Sequence, residues 1–361
     1  MIEFARLSWW PAGVKLAIVA ILGLSLAAGA AARADNRTVF PLPLDWVSTE
    51  GRAHPLAGQV WSRAEGRLIA AQQYGTTLAK SRFILLGENH DNADHHLLQA
   101  WAIRTVAKLR GARLVEGAPQ ADIVALEMLS PDQQEALDRF YGRKSKVPRQ
   151  RTAGDFGRML GWEKLGWPDY AIYEPIVAAA LDAQLVLTPA NPTREETRRV
   201  GREGLQALAL DEARRLALDV DLDATGGEEL SREIADSHCG MLPLSALANM
   251  SLVQRLRDAR MADALLAVGE WKGAILIAGN GHVRADRGVP WYMIRRGIPR
   301  ESIVSVVHME VRPDRLSPAE YLSGADGAVA DFVVFTPRQP RPDACEEMKR
   351  QMEKIKAQPK P

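Results

Sequence analysis

Twice in this chain an apolar run short enough to be a strand ends in glycine, with a histidine three residues on. The first is Phe83-Ile84-Leu85-Leu86 followed by Gly87-Glu88-Asn89-His90. The second is Ala274-Ile275-Leu276-Ile277-Ala278 followed by Gly279-Asn280-Gly281-His282. Unbroken apolar runs of this length suit strands covered on both faces, as in parallel sheets, and glycine turns without a Cβ penalty. A helical pattern follows the first corner from about Asp94, with Leu97, Leu98, Trp101, Val106 and Leu109 spaced to share a face. In open α/β sheets ligands are held beyond the carboxyl ends of the strands. Two such corners set side by side predict one polar cavity.

The rest of the chain alternates in the same way. A short strand is expected at 58–62, then a helix over 68–79 that makes the first crossover. A second buried strand at 123–126 ends in Glu127, bringing another acid to a strand's carboxyl end. Ser130-Pro131 opens a helix over 132–140, serine as cap and proline at the first helical position. A third strand at 185–187 precedes a charged helical stretch reaching about 218, an acidic, glycine-rich turn at 219–227 and a helix from about 228 to His238-Cys239. Helical periodicity resumes over 252–268 and again over 289–296, and further strands lie at 303–307 and 332–335. From Pro337 the chain is proline-rich, then charged: a loose tail or a surface helix. Such alternation gives an α/β fold in three layers, a mostly parallel sheet flanked by helices. At 361 residues it fits one large domain or two smaller ones. The formal charge is +1 with basic residues scattered, which gives no footprint for nucleic acid.

Residues 1–34 stand apart. Arg6 and Lys15 precede an apolar run over 16–26 that fades to Ala32-Arg33-Ala34. This is the layout of a secretory signal cleaved before Asp35, and an uncleaved anchor is the alternative. Either predicts export, to the periplasm or to a membrane facing it. Removing the segment leaves 43 basic residues against 44 acidic. The organisation expected is therefore a signal or anchor over 1–34, one domain over 35–340 and a tail over 341–361. Cys239 and Cys345 are able to close a long loop in an oxidising compartment. The chain-entropy argument credits such a loop with roughly 4–5 kcal/mol, but sequence does not give the distance between the sulfurs.

Taken together, Gly87-Glu88-Asn89-His90, Glu127, His238-Cys239 and Gly279-Asn280-Gly281-His282-Val283-Arg284 resemble the ChaN family of haem-binding proteins. The likeness spans most of 60–345 and takes in Gly288-Val289-Pro290, Phe335-Thr336-Pro337 and both cysteines. That family sits in a wider superfamily with the Tiki proteases, the TraB proteins and the erythromycin esterases. The resemblance implies a three-layer α/β fold and haem binding outside the cytoplasm. It also implies tyrosine ligation, a homodimer around the haems and a link to outer-membrane haem or iron uptake machinery. ChaN relatives are often lipoproteins, whereas this chain has no cysteine at the expected cleavage site.

Two chemistries compete for the residues. Haem asks for an apolar slot, an axial donor and cations near the propionates. Phe156, Trp162, Trp167, Tyr170 and Tyr173 offer aromatic walls, and Arg143, Lys144, Lys146, Arg149 and Arg151 offer charge. Tyr170, Tyr173, His90 and His282 are the candidate haem-binding residues. The bland alternatives are core tyrosines and a solvated basic loop. Covalent c-type attachment is excluded, since no Cys-x-x-Cys-His occurs. A divalent transition metal is the alternative cofactor, with His90, Glu127, His238 and His282 as ligands. Glu88 would then act as general base and Arg284 would stabilise an oxyanion in a hydrolase. His238 alternatively just lines the pocket, and His54, His95, His96 and His308 are assigned structural or exposed places. Glu88 and Glu127 follow apolar strands, so each needs a partner for its charge. Family likeness puts haem ahead of hydrolysis.

Overall fold

The computed structural model describes residues 39–111, 120–142, 151–269, 272–322 and 329–357, all within the unit Val39–Pro361. The expected signal or anchor, and Arg143, Lys144, Lys146 and Arg149, lie outside the described residues. Among the described residues no helix is long and apolar enough to cross a membrane.

The chain opens with a hairpin, β1 (Val60–Ser62) and β2 (Arg67–Ile69), before α1 (Ala71–Lys80). The helix expected over 68–79 is present but begins at Ala71, its first expected residues belonging to β2. Gly66 takes φ +63° and its N–H bonds back to the Ser62 carbonyl. The next residues therefore fold onto β1 in antiparallel register, with Val60 opposite Ile69, and the crossover expected here is made from β2 through α1 to the next strand, which runs parallel to β2 in the same sheet. Next come β3 (Phe83–Glu88), α2 (Ala93–Gly111), β4 (Gln120–Leu126) and α3 (Gln134–Phe140). The aromatic stretch forms two helices, α4 (Ala153–Leu160) and α5 (Tyr170–Asp182), parted at Gly161, whose left-handed backbone ends α4. The middle of the chain supplies β5 (Val186–Pro189), α6 (Arg194–Glu203), α7 (Leu210–Arg215), α8 (Ala224–Ser237) and α9 (Leu244–Leu266). Helix α8 starts earlier than expected because Asp223 caps the Gly226 N–H at 2.7 Å. Last come β6 (Lys272–Gly279), α10 (Val289–Arg295), β7 (Ile303–Glu310), α11 (Pro318–Leu322), β8 (Phe332–Thr336) and α12 (Ala344–Ala357).

These strands make one sheet in the order β2-β1-β8-β7-β3-β6-β4-β5. From β8 to β5 every neighbouring pair is parallel, with the β1–β2 hairpin added antiparallel at one edge. Strand β3 lies at the centre and is buried at every residue. Its side chains alternate between two cores. Ile84 and Leu86 join the layer of α1, α2 and α5, while Phe83 and Leu85 join that of α6, α9 and α10. That two-sided burial is why the strand reads as an unbroken apolar run.

The C-terminal segment is held back onto the domain. Cys239 and Cys345 form a disulfide with Cα atoms 5.5 Å apart. Just before it, Arg341 bonds Asp91 and Glu310 at 2.5–2.7 Å, so α12 begins beside the first corner's loop.

Candidate functional site

In the register of β3 and β6, Glu88 lies opposite Gly279, so the two glycine corners leave the sheet side by side. They are also bonded to one another. The Asn280 N–H donates to the Glu88 carbonyl at 2.9 Å, and its side-chain amide donates to Asn89 Oδ1 at 3.2 Å and to the His308 carbonyl at 2.8 Å. This approach explains Gly87: a Cβ there would run into Asn280 Oδ1 and stand 2.9 Å from the Val306 carbonyl oxygen. Glu127 follows β4 on the other side of β6, so three adjacent strands deliver Glu88, Gly279 and Glu127 to one edge.

Both carboxylates are almost fully buried, and each has found partners. Glu88 Oε1 accepts from His90 Nδ1 at 2.8 Å and from the Tyr173 hydroxyl at 3.1 Å. Its Oε2 accepts from the Gln99 amide at 2.9 Å and stands 3.4 Å from His96 Nε2. Burial alone would raise the Glu88 carboxyl, but the His96 and His90 imidazoles outweigh it and hold it well below the usual range. Glu127 Oε2 accepts the Gly279 N–H at 2.6 Å, while Oε1 is bonded by the Arg257 guanidinium. Against burial, the His282 and Arg257 charges hold its carboxyl low as well. The Asn191 amide donates to the Glu127 carbonyl at 2.9 Å, and Asn191 Oδ1 accepts from Arg257 Nε at 3.0 Å.

His90 and His282 are oriented alike. Each uses Nδ1 on a carboxylate, His90 on Glu88 and His282 on Asp258 at 2.7 Å. Each turns Nε2 toward Glu127 Oε1, at 3.8 and 3.4 Å. Burial works against protonation of His282, but Glu127 and Asp258 overcome it and push its pKa up to about 9. His90 is also raised, its bond to Glu88 and the Glu127 charge outweighing burial. His90 remains a third exposed, with the Trp167 ring set edge-on to it at 4.9 Å. Both histidines line a cavity of about 470 Å³ at the carboxyl end of the sheet, which α8 covers with Leu230, Glu233, Ile234 and Ser237.

Other candidates fall elsewhere. The Tyr170 hydroxyl donates to the Ala153 carbonyl at 2.5 Å, and the ring packs on Gly157 and Trp162. Tyr173 is buried with its hydroxyl on Glu88 and the His90 carbonyl. Burial raises both phenols, and Glu88 adds to the rise at Tyr173. All six tyrosines of the chain lie among the described residues, and none is exposed. The aromatic wall expected from 156–177 is a core in the main: Phe156, Trp162 and Tyr173 are buried inside the domain, leaving Trp167 beside His90.

His238 ends α8 with Nδ1 2.8 Å from the Ile234 carbonyl and does not line the cavity of His90 and His282. Arg284, placed by the hydrolase alternative at an oxyanion, is instead buried between Glu229 and Asp286, at 2.9 and 2.7 Å. Among the described residues no group of three His, Cys, Asp or Glu side chains is arranged to hold a metal ion. The reason is visible at Glu127, whose oxygens are taken by Arg257 and a backbone N–H, with a cation already beside it. His95 and His308 are structural, as expected, bonded to the Asn89 N–H and the Gly87 carbonyl.

His96, Gln99, Arg257 and Asp258 belong to the site and were not anticipated. Arg257 and Asp258 had a readable signal, since with Gln254 they put three polar groups at i, i+3 and i+4 on α9 amid Leu256, Ala259 and Ala262. His96 had none, because a helix position says nothing of which strand-end carboxylate it meets.

A search of curated proteins returns no match. Among solved structures, ChaN of Campylobacter jejuni, solved for its cofacial haem binding, shares the fold with a TM-score of 0.58 at 22% identity, over 76% of this chain and 95% of that one. The type III effector HopBA1 matches at 13% identity over 74% of this chain and 93% of its own, with a TM-score of 0.37. The model of the haem-binding uptake, Tiki superfamily, ChaN family matches residues 75–293. The chain belongs to that family.

Proposed function

We propose that this protein binds haem at the carboxyl end of its sheet, outside the cytoplasm, in the service of haem or iron uptake. His90 carries the assignment. Its Nδ1 is fixed on a buried carboxylate while Nε2 is turned toward Glu127, which lines the cavity with it, and the ring is still a third exposed. A carboxylate on Nδ1 is the arrangement general among ligating histidines: it orients the ring, and a metal that displaces the Nε2 proton favoured by Glu88 and Glu127 is offered that nitrogen as donor. Leu230 and Ile234 of α8 give the cavity an apolar side, and Trp167 lies against the ligating ring. These residues fit haem through a nitrogen donor. They replace the tyrosine ligation that the family resemblance implies, since the hydroxyls of Tyr170 and Tyr173 are bonded inside the domain. Bound haem would supply redox-active iron held in a removable ligand, and the protein's part is to hold it and shield it.

Membership of a haem-binding uptake family supports the ligand, and the Cys239–Cys345 bond supports an oxidising compartment. A second copy closing over the haem, and delivery to or from outer-membrane uptake machinery, belong to the same proposal. Purified protein titrated with haemin is expected to develop a Soret band that saturates at a fixed stoichiometry, with sedimentation reporting dimer formation. A featureless titration would refute haem binding. Hydrolysis is not favoured, because the acids it needs are both locked in ion pairs.

A further inference from the structure

Arg287 is buried at the rim of the second corner, its side chain 4% exposed, yet only part of its guanidinium is bonded. Nη2 pairs with Glu233, while Nε and Nη1 have no hydrogen-bond partner. The other arginines around the site differ. Arg257 spends its nitrogens on Asn191, Gln254 and Glu127, and Arg284 is held by Glu229 and Asp286. Nearby Asp258 is bonded to His282 Nδ1. Buried donors without partners are rare, because each has left water for nothing.

The position of Arg287 says what they wait for. It lines the cavity of His90 and His282 and also an adjoining one of about 660 Å³, and the two share Asn89, Glu233, Ser237, Asn280 and Gly281. Nη2 stands between Nε and Nη1, so once Glu233 lets go of it a carboxylate is met by two parallel hydrogen bonds, one from Nη2 and one from an open neighbour. Its present partner Glu233 is more than half exposed and returns to water at little cost when displaced.

We propose that Arg287 is the carboxylate receptor of this cavity. The assignment rests on the haem reading above, in which the carboxylate is a propionate of the porphyrin while His90 holds the iron. Haem is suited to both groups at once, being a planar iron chelate with an acidic edge.

The test compares haemin with iron protoporphyrin IX dimethyl ester, which keeps the iron and ring but lacks free carboxylates. Wild-type protein is expected to prefer haemin by about tenfold, the worth of a charged hydrogen-bonded pair. Arg287→Met is expected to lose the preference, with the Soret maximum of the haemin complex unmoved because the axial ligand remains. Its melting temperature without ligand should equal or exceed that of wild type, since the substitution removes orphaned donors. An arginine with a structural role would instead lower it. Should Arg287→Met not fold, Arg287→Lys, which keeps the charge without the fork, is expected to lose most of the preference. Equal binding of both porphyrins by wild type, or an unchanged preference in the folded variants, overturns the receptor role and leaves haem binding standing. Binding of neither porphyrin overturns both.

Discussion

His90 and His282 reach the same oxygen, Glu127 Oε1, from two different strand ends, at 3.8 and 3.4 Å. The relationship exists because β3 and β6 are parallel neighbours and β4 flanks β6, so three loops that are distant in sequence open at one edge. Burial makes the arrangement sensitive to any change in charge. Glu127 is 1% exposed, and its compensation comes from Arg257, the Gly279 N–H and the two imidazoles.

Removing one partner of such a pair strands the other. Arg257→Met is expected to destabilise the fold by about 3–5 kcal/mol in urea unfolding. Adding Glu127→Gln should return most of that loss, because the amide needs no counter-charge. If the double variant is as unstable as the single one, Glu127 and Arg257 are not coupled as described.

The acid and base limbs of stability follow from the same groups. His282 has its pKa raised from 6.5 to about 9 in the folded state. Its contribution is therefore complete below pH 6.5 and is lost as pH rises through 9, an effect on the order of 1–3 kcal/mol. Glu88 and Glu127 are shifted the other way, so theirs is present above the usual carboxylate value of 4.5 and fades as pH falls below it. Unfolding free energies measured from pH 3 to 10 should show both limbs. In His282→Gln the alkaline limb should flatten, and a decline that persists unchanged would assign it to another group.

Much of the sheet is legible in the sequence because burial on both faces writes itself as apolar runs, at 83–86 and 274–278 above all. Glycine before a histidine marks each corner for the same local reason. A three-residue strand such as Arg67–Ile69 is too short to show alternation, and its pairing with β1 is a tertiary fact. The tyrosines show where pattern ends: Tyr170 and Tyr173 share α5 and both touch Trp162, but their hydroxyls go to Ala153 and Glu88, partners no spacing reveals. With both hydroxyls bonded inside the domain, the axial role proposed above goes to a residue that the sequence ranks beside them, His90.

The disulfide closes a separation of 106 residues and fastens α12 to the end of α8, the helix that covers the cavity. Cys345→Ser is expected to cost about 2–5 kcal/mol in denaturant unfolding. Reduction of the wild type should cost a similar amount, and no further loss should follow when the variant is reduced. A variant as stable as the oxidised parent would mean that the bond adds nothing to the fold.

The most direct measurement is the identity of the ligand on bound iron. Resonance Raman spectra of the ferrous haem complex are expected to show an iron–histidine stretch in the wild-type protein. In His90→Ala that stretch should disappear while haem is held more weakly. An iron–tyrosinate signature in the ferric wild-type complex, or an iron–histidine stretch that survives His90→Ala, would contradict the assignment of His90 as the haem ligand.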